Sequence, residues 1–216
     1  MGNEELARRV ADELRWDPKM DSDTIAVDAE GGTVTLRGTV GSLRQRREAR
    51  KAAERVYGVV DVFDDLRVTL LDEHRREDAE LRGDVLQALM LDSVVPSTVD
   101  ASVRDGFVEL RGTASWQFQR EEAEFVAGNV PGVLGVRTSV ILTSPAPYAP
   151  EVKHSIKKAL ERDAKLDADR IAVETINGIA VLSGAVRSWS EHDAAVTAAW
   201  AAPGVTAVED RLIVAY

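Results

Sequence analysis

The sequence predicts an α+β fold written three times: three tandem α-β-β-α-β units, each a small three-stranded mixed sheet with two helices packed on one face. Three observations carry this expectation. The segment LRGTV at residues 36–40 returns as LRGTA at 110–114 and as LSGAV at 182–186, so that Gly38, Gly112 and Gly184 lie 74 and 72 residues apart. A second glycine follows each by 20 residues, at Gly58, Gly132 and Gly204. Between these markers, apolar residues recur at helical spacing in two stretches and at strand spacing in three. Internal repetition of this kind marks a supersecondary unit used more than once. It divides the chain into residues 1–71, 77–143 and 150–216.

Each unit opens with a helix. Leu6, Val10 and Leu14 form a stripe at i, i+4 and i+8, repeated by Leu81, Val85 and Leu89 and by Val152, Ile156 and Leu160. Two strands follow around a tight turn. Asp105-Gly106 and Asn177-Gly178 are dipeptides that tolerate positive φ at both central positions of a type I′ hairpin, and Gly31-Gly32 holds the same place in the first unit.

The second helix is marked by capping-box patterns, Ser42-Leu43-Arg44-Gln45 and Ser188-Trp189-Ser190-Glu191. In the second unit the candidate cap is Ser115, one position early and without an acidic or amide partner three residues on. The inward stripe is Ala49, Ala52, Ala53 and Val56, then Ala123, Val126, Ala127 and Val130, then Ala195, Ala198, Ala199 and Ala202. Small side chains let this helix lie close to the sheet. Gly58, Gly132 and Gly204 are expected at the C′ position that ends it.

A last strand closes each unit, with Val59, Val62, Leu66 and Val68 matched by Val133, Val136, Val140 and Leu142 and by Val205, Val208, Leu212 and Val214. Its β-α-β half implies a right-handed crossover between parallel strands. Residues 72–78 read as a charged connector and residues 143–150 as a proline-rich, semi-rigid spacer.

Composition limits function. Units of about 70 residues bury only a modest share of their surface, so contacts between them are expected to matter. The net charge is −10, and each third of the chain is negative (−3, −5 and −2), which disfavours nucleic-acid binding through phosphate neutralisation. There is no cysteine, which removes disulfides, thiolate nucleophiles and cysteine-based metal sites. No apolar run approaches the length of a membrane span. The first residues lack a basic segment followed by an apolar one, so a cytoplasmic location is expected as sequenced, and a periplasmic one if a signal has been removed from a longer precursor.

The first-helix stripe, the hairpin, the strand end at Val34, Leu36, Gly38 and Val40, the alanine-rich second helix and the turn Gly58-Val59-Val60-Asp61-Val62 together resemble the BON domain. The same turn stands at Gly132-Val133-Leu134-Gly135-Val136 and Gly204-Val205-Thr206-Ala207-Val208, so the resemblance covers nearly the whole chain three times. It implies a bacterial, noncatalytic module of the kind associated with cell envelopes, osmotic stress, secretin pores and mechanosensitive channels, with phospholipid as the ligand most often proposed. The glycines Gly38, Gly58, Gly112, Gly132, Gly184 and Gly204 are structural and transfer no active site.

The residues themselves offer two candidate contact sets. Arg44, Arg46, Arg47, Arg50, Lys51 and Arg55 crowd the second helix of the first unit, as a lipid headgroup or acidic partner would require. The same run also suits a solvated face with intrahelical ion pairs. Trp16, Trp116, Phe118 and Trp189 stand at helix ends, where aromatics suit a membrane interface or inter-repeat burial.

His74, His154 and His192 fall at non-equivalent positions and read as surface residues, and no phosphate loop or nucleophile elbow is present. The expected function is therefore binding without catalysis, without cofactor or metal, to phospholipid or a protein partner. The alternative is a structural scaffold that forms an oligomer or a larger complex.

Overall fold

The computed structural model describes residues 2–18, 21–70, 76–143, 149–162 and 168–215. The expected charged connector and proline-rich spacer lie largely outside the described residues. The first repeat comprises α1 (Asn3–Trp16), β1 (Ile25–Glu30), β2 (Thr33–Val40), α2 (Leu43–Glu54) and β3 (Asp61–Val68). The second comprises α3 (Asp78–Leu91), β4 (Asp100–Arg104), β5 (Phe107–Ala114), α4 (Gln117–Gly128) and β6 (Gly135–Leu142). The third comprises α5 (Ala149–Arg162), β7 (Ile171–Ile176), β8 (Ile179–Val186), α6 (Trp189–Trp200) and β9 (Ala207–Val214), with a 3₁₀ turn at Ala168–Arg170 leading into β7.

Every sheet has three strands with the middle strand of the repeat at its centre. β1 pairs antiparallel with β2, and β2 pairs parallel with β3 in the register Val34↔Val62 and Val40↔Val68. β7, β8 and β9 follow the same scheme, with Ala180↔Val208 and Val186↔Val214. The parallel pairing that a crossover requires is therefore present.

The chain forms two compact units: residues 1–112 with 121–140, and residues 113–120 with 141–216. In the first, Leu6, Val10 and Leu14 of α1 and Ala49, Ala52 and Ala53 of α2 join Val34, Leu36, Val62 and Leu66 of the sheet in one core. In the second, Val152, Ile156 and Leu160 of α5 and Ala195 and Ala199 of α6 join Val173, Leu182, Val186 and Val214. The three first-helix stripes are buried as the spacing predicts, and the alanines 49, 52, 53, 123, 127, 195 and 199 are wholly excluded from solvent. The stripe is less complete elsewhere: Val126, Val130 and Ala198 are only half-buried.

The hairpins form as expected, with φ of 51° at Asp105 and 50° at Asn177. The first turn of the preceding helix helps to hold two of them. The Asp78 carboxylate accepts from the amides of Asp105 (2.7 Å) and Gly106 (3.0 Å), and Asn3 Oδ1 accepts from Gly31 (3.3 Å).

Two local expectations need correction. Ser42 and Ser188 cap α2 and α6 by accepting from the amides of Gln45 and Glu191, but the reciprocal bonds from those side chains reach Gly41 and Arg187, one residue before the cap. In the second repeat Trp116 takes the cap position, and Gln119 Oε1 accepts from the amides of both Ser115 (3.0 Å) and Trp116 (3.2 Å). The partner is thus counted from Trp116.

The glycines 58, 132 and 204 are not C′ residues. The helix α2 ends at Glu54, and the amide of Val59 bonds to the carbonyl of Val56, with Gly58 third in that turn at φ 98°. The turns Val130–Val133 and Ala202–Val205 are the same, with proline second and glycine third. That is the residue order of a type II turn, whose third position needs positive φ.

The repeat glycine has a distinct role. Gly38, Gly112 and Gly184 sit within strands at φ 129–131°, and a Cβ there would lie 2.0–2.1 Å from the carbonyl oxygens of Thr24, Thr98 and Arg170. The obstacle is backbone that leads into the neighbouring strand, so no side-chain rotation relieves it. Replacing any one by alanine is expected to destabilise its repeat by on the order of 3 kcal/mol. Urea denaturation of Gly38→Ala, Gly112→Ala and Gly184→Ala checks this; changes below 1 kcal/mol would refute the steric account.

Candidate functional site

The six cations of α2 do not form one open surface. Arg46 Nε bonds Asp64 Oδ2 on β3 at 2.9 Å. Arg50 pairs with Glu54 one turn along the helix at 2.8 Å. Arg55 reaches across to α1, bonding Glu13 at 3.0 Å and the nearly buried Asp17 at 3.1 Å. This clamp brings the C-terminal ends of α1 and α2 together. Arg47 donates to Asn129 Oδ1 at 3.0 Å, and its guanidinium lies 5.0 Å from the Phe125 ring centre. It also fills the space beside Gly128, where a Cβ would stand 3.2 Å from Nη2. Burial lowers the Arg47 pKa from its usual value, against the opposing charges of Glu124 and Glu48. Arg47 therefore joins the first repeat to α4. The side chains of Arg44 and Lys51 have no hydrogen bond or ion pair among the described residues, and both are exposed.

One position changes its chemistry from repeat to repeat. With the repeats aligned on their glycines, Arg46 corresponds to Arg120 and His192, and Asp64 to Thr138 and Asp210. In the first repeat Asp64 Oδ1 accepts from the Leu66 amide while Oδ2 takes Arg46, which ties helix to strand. In the second repeat Thr138 accepts the corresponding Val140 amide but offers no charge. Arg120 instead lies 5.4 Å from the Trp200 ring centre, with its Nε buried and without a hydrogen-bond partner. In the third repeat Asp210 Oδ1 accepts from Leu212 and Oδ2 meets His192 Nε2 at 2.7 Å.

The aromatic residues divide. Trp189 is half-buried against the third core and meets the His192 ring edge-on, with ring centres 4.8 Å apart. Trp116 is half-buried. Phe118 is 56% exposed and Trp16 is 84% exposed. Trp16 ends α1, beside Arg15, and Tyr57 beyond α2 is exposed as well. Leu91 stands at the position of Trp16 in the second repeat and, with Met90, is also exposed at a helix end.

Among the described residues no group of three His, Cys, Asp or Glu side chains is placed to hold a metal ion. The largest groove described, about 570 Å³, includes Val68, Leu70, Arg76, Asp78, Gly106 and Leu134. Within it Arg76 pairs with Glu80 and Asp84, and Asp78 accepts from the hairpin amides. His154 is exposed on α5, and His74 lies outside the described residues. His192 is not the surface residue expected: its side chain is 14% exposed and faces two carboxylates, because it occupies the helix-to-strand position of Arg46. Aligning the repeats at 74 and 72 residues would have revealed both it and Asp210.

The family model of the BON domain matches residues 2–69, 77–143 and 150–216. The chain is 36% identical over 124 residues to osmotically-inducible protein Y of Escherichia coli (strain K12), covering 55% of this chain and 62% of that protein, so it spans less than two thirds of that relative's length. Among solved structures it is similar to CdsD, a structural protein of the type III secretion system of Chlamydia trachomatis, at 15% identity over 98% of this chain and 92% of that one, with a TM-score of 0.28. The C-terminal domain of CdsD gives 14% identity and the same score.

The cations of α2 should separate on substitution. Arg47→Ala is expected to destabilise the chain by about 1–2 kcal/mol through loss of the Asn129 bond and the Phe125 contact. Arg44→Ala and Lys51→Ala should stay within about 0.5 kcal/mol of the unmodified chain. Chemical denaturation of the three variants measures both effects, and equal losses would contradict this division.

Proposed function

The chain belongs to the BON domain family, and from that premise we propose that it is a noncatalytic, stress-associated binding protein that rests on a phospholipid surface through one end of its first repeat. The observation that carries this reading is Trp16. A tryptophan 84% exposed at a helix end contributes little to its own core. Its amphipathic ring suits the boundary between lipid headgroups and acyl chains.

The surroundings support it. The Arg55 clamp sets Trp16 and Tyr57 at the same end of the repeat, with Lys51 nearby in the chain and Arg15 paired with Asp12 at 2.9 Å. Each cation close to an anionic membrane contributes about 1 kcal/mol. The net charge of −10 opposes adsorption elsewhere on the molecule, so the attraction is local and sensitive to salt. No helix among the described residues is long and apolar enough to cross a membrane. The proposal is therefore for contact at the surface, not for insertion of a spanning helix. Relatedness to an osmotically inducible protein supports a role under stress.

Flotation with vesicles of phosphatidylglycerol and phosphatidylcholine tests this. The chain should float with anionic vesicles at low salt and less so at high salt. Trp16→Ala should weaken association on the order of tenfold, the scale of one large side chain left out of an apolar environment. A folded chain that stays at the bottom of the gradient at low salt would overturn the lipid reading. A mass that rises with concentration in light scattering would then favour the scaffold.

A further inference from the structure

In the third repeat the tie between second helix and last strand depends on a group that titrates near neutrality. His192 Nε2 faces Asp210 Oδ2 at 2.7 Å, and Nδ1 faces Asp193 Oδ1 at 3.2 Å. A neutral imidazole has one N–H and one lone pair, so it can donate to only one of two carboxylates. The two-sided arrangement needs both ring nitrogens protonated. We propose that His192 makes the attachment of α6 to β9 a pH-set latch, tight while the imidazole is doubly protonated and bonds both carboxylates, and weakened to a single uncharged hydrogen bond when it loses a proton.

The comparison within the chain supports a latch over a chance surface contact. The same two positions hold Arg46 and Asp64 in the first repeat, a pair whose cation does not lose its charge in the accessible range. In the second repeat the carboxylate is replaced by Thr138, so that pair is absent. The three repeats thus carry a permanent tie, none, and a titratable one. The strand carboxylate is held in place by its second oxygen, which accepts from the Leu212 amide at 3.0 Å. Asp210 therefore cannot follow a departing ring without losing that bond.

The charges acting on His192 come from two elements. Asp193 lies on its own helix and Asp210 on β9. Glu209 and Arg211 on β9 pair with each other. The strand β8 carries no titratable side chain. The helix α5 faces another flank of α6, where Lys158 and Arg162 line a groove with Ala198 and Ala201. In the segment 113–120, Arg120 reaches Trp200 at the far end of α6.

The hydrogen bond to Asp193 raises the His192 pKa above its usual 6.5. Burial opposes the rise, and the charge of Asp210 and the bond to it add to it. A group whose folded pKa is raised contributes stability that is fully present below its unfolded pKa, about 6.5, and that is lost as pH rises through the folded value. The latch is therefore tight in mild acid and weakened in mild base.

Hydrogen exchange of the α6 amides in the full chain, corrected for the intrinsic pH dependence of exchange, tests this between pH 6 and pH 9. Protection of α6 should fall across this window in the unmodified protein. In His192→Arg, which carries the residue of the first repeat, it should stay level. In His192→Gln it should lie at the high-pH level throughout. Asp210→Asn adds a readout that does not depend on the arginine variant folding, because NMR titration of the ring should then move back toward 6.5. A level profile in the unmodified protein, the same fall in His192→Arg, or an unmoved titration in Asp210→Asn would each overturn the proposal.

Discussion

In each repeat a carbonyl oxygen stands where a side chain would begin. The oxygens of Thr24, Thr98 and Arg170 fill the space beside Gly38, Gly112 and Gly184, and the strand bends at φ near 130° to admit them. The rest of the repeat hangs on this approach. It sets where the first strand starts against the second, hence the register that puts Val34, Leu36 and Val40 on the covered face. It also brings the chain out of β2 a few residues before α2, so that the alanine stripe lies directly over the sheet. A larger residue at either place would lift a layer of a core only two layers deep.

Once that scaffold is in place, the repeats are free to differ where it does not constrain them. The helix-to-strand tie is the clearest case. Asp64 and Asp210 each use one oxygen for a backbone amide and leave the other for the helix, and the partner differs in whether it titrates. Where the carboxylate is lost, Arg120 turns to the ring of Trp200. The arginines of α2 show the same economy. The run of positive charge is mostly spent inside the molecule, on Asp64, Glu54, Glu13, Asp17, Asn129 and Phe125. What remains outward is small, and it is joined at one end of the first repeat by the exposed aromatics of α1 and the α2 turn.

Features set by near neighbours in sequence were legible. The helix stripes, the hairpin dipeptides and the Ser42 and Ser188 caps each need only a few adjacent residues, and the structure has them. The second-repeat cap is legible in principle, since Gln119 stands three residues after Trp116, but tryptophan is an unusual cap and Ser115, a residue that commonly caps, stands beside it. The turn glycines lie beyond C′ because their helices end earlier than the apolar stripe does. Val56 continues the stripe while already belonging to the turn. The Pro131-Gly132 and Pro203-Gly204 pairs were the available sign, since they suit the middle of a type II turn.

The sequence by itself determined the repeat, the order of elements, the buried stripes and the family. These follow from periodicity and from backbone conformations that few residues adopt, both of which are local. Only the tertiary structure decided which charges are spent and which are left. Arg47 meets Phe125 and Asn129 some eighty residues away, and His192 meets Asp210 across a helix, a turn and a strand. The charge of a side chain is written in the sequence. Its availability depends on what the fold brings within about 3 Å of it, because a hydrogen bond or ion pair is made or lost over that distance.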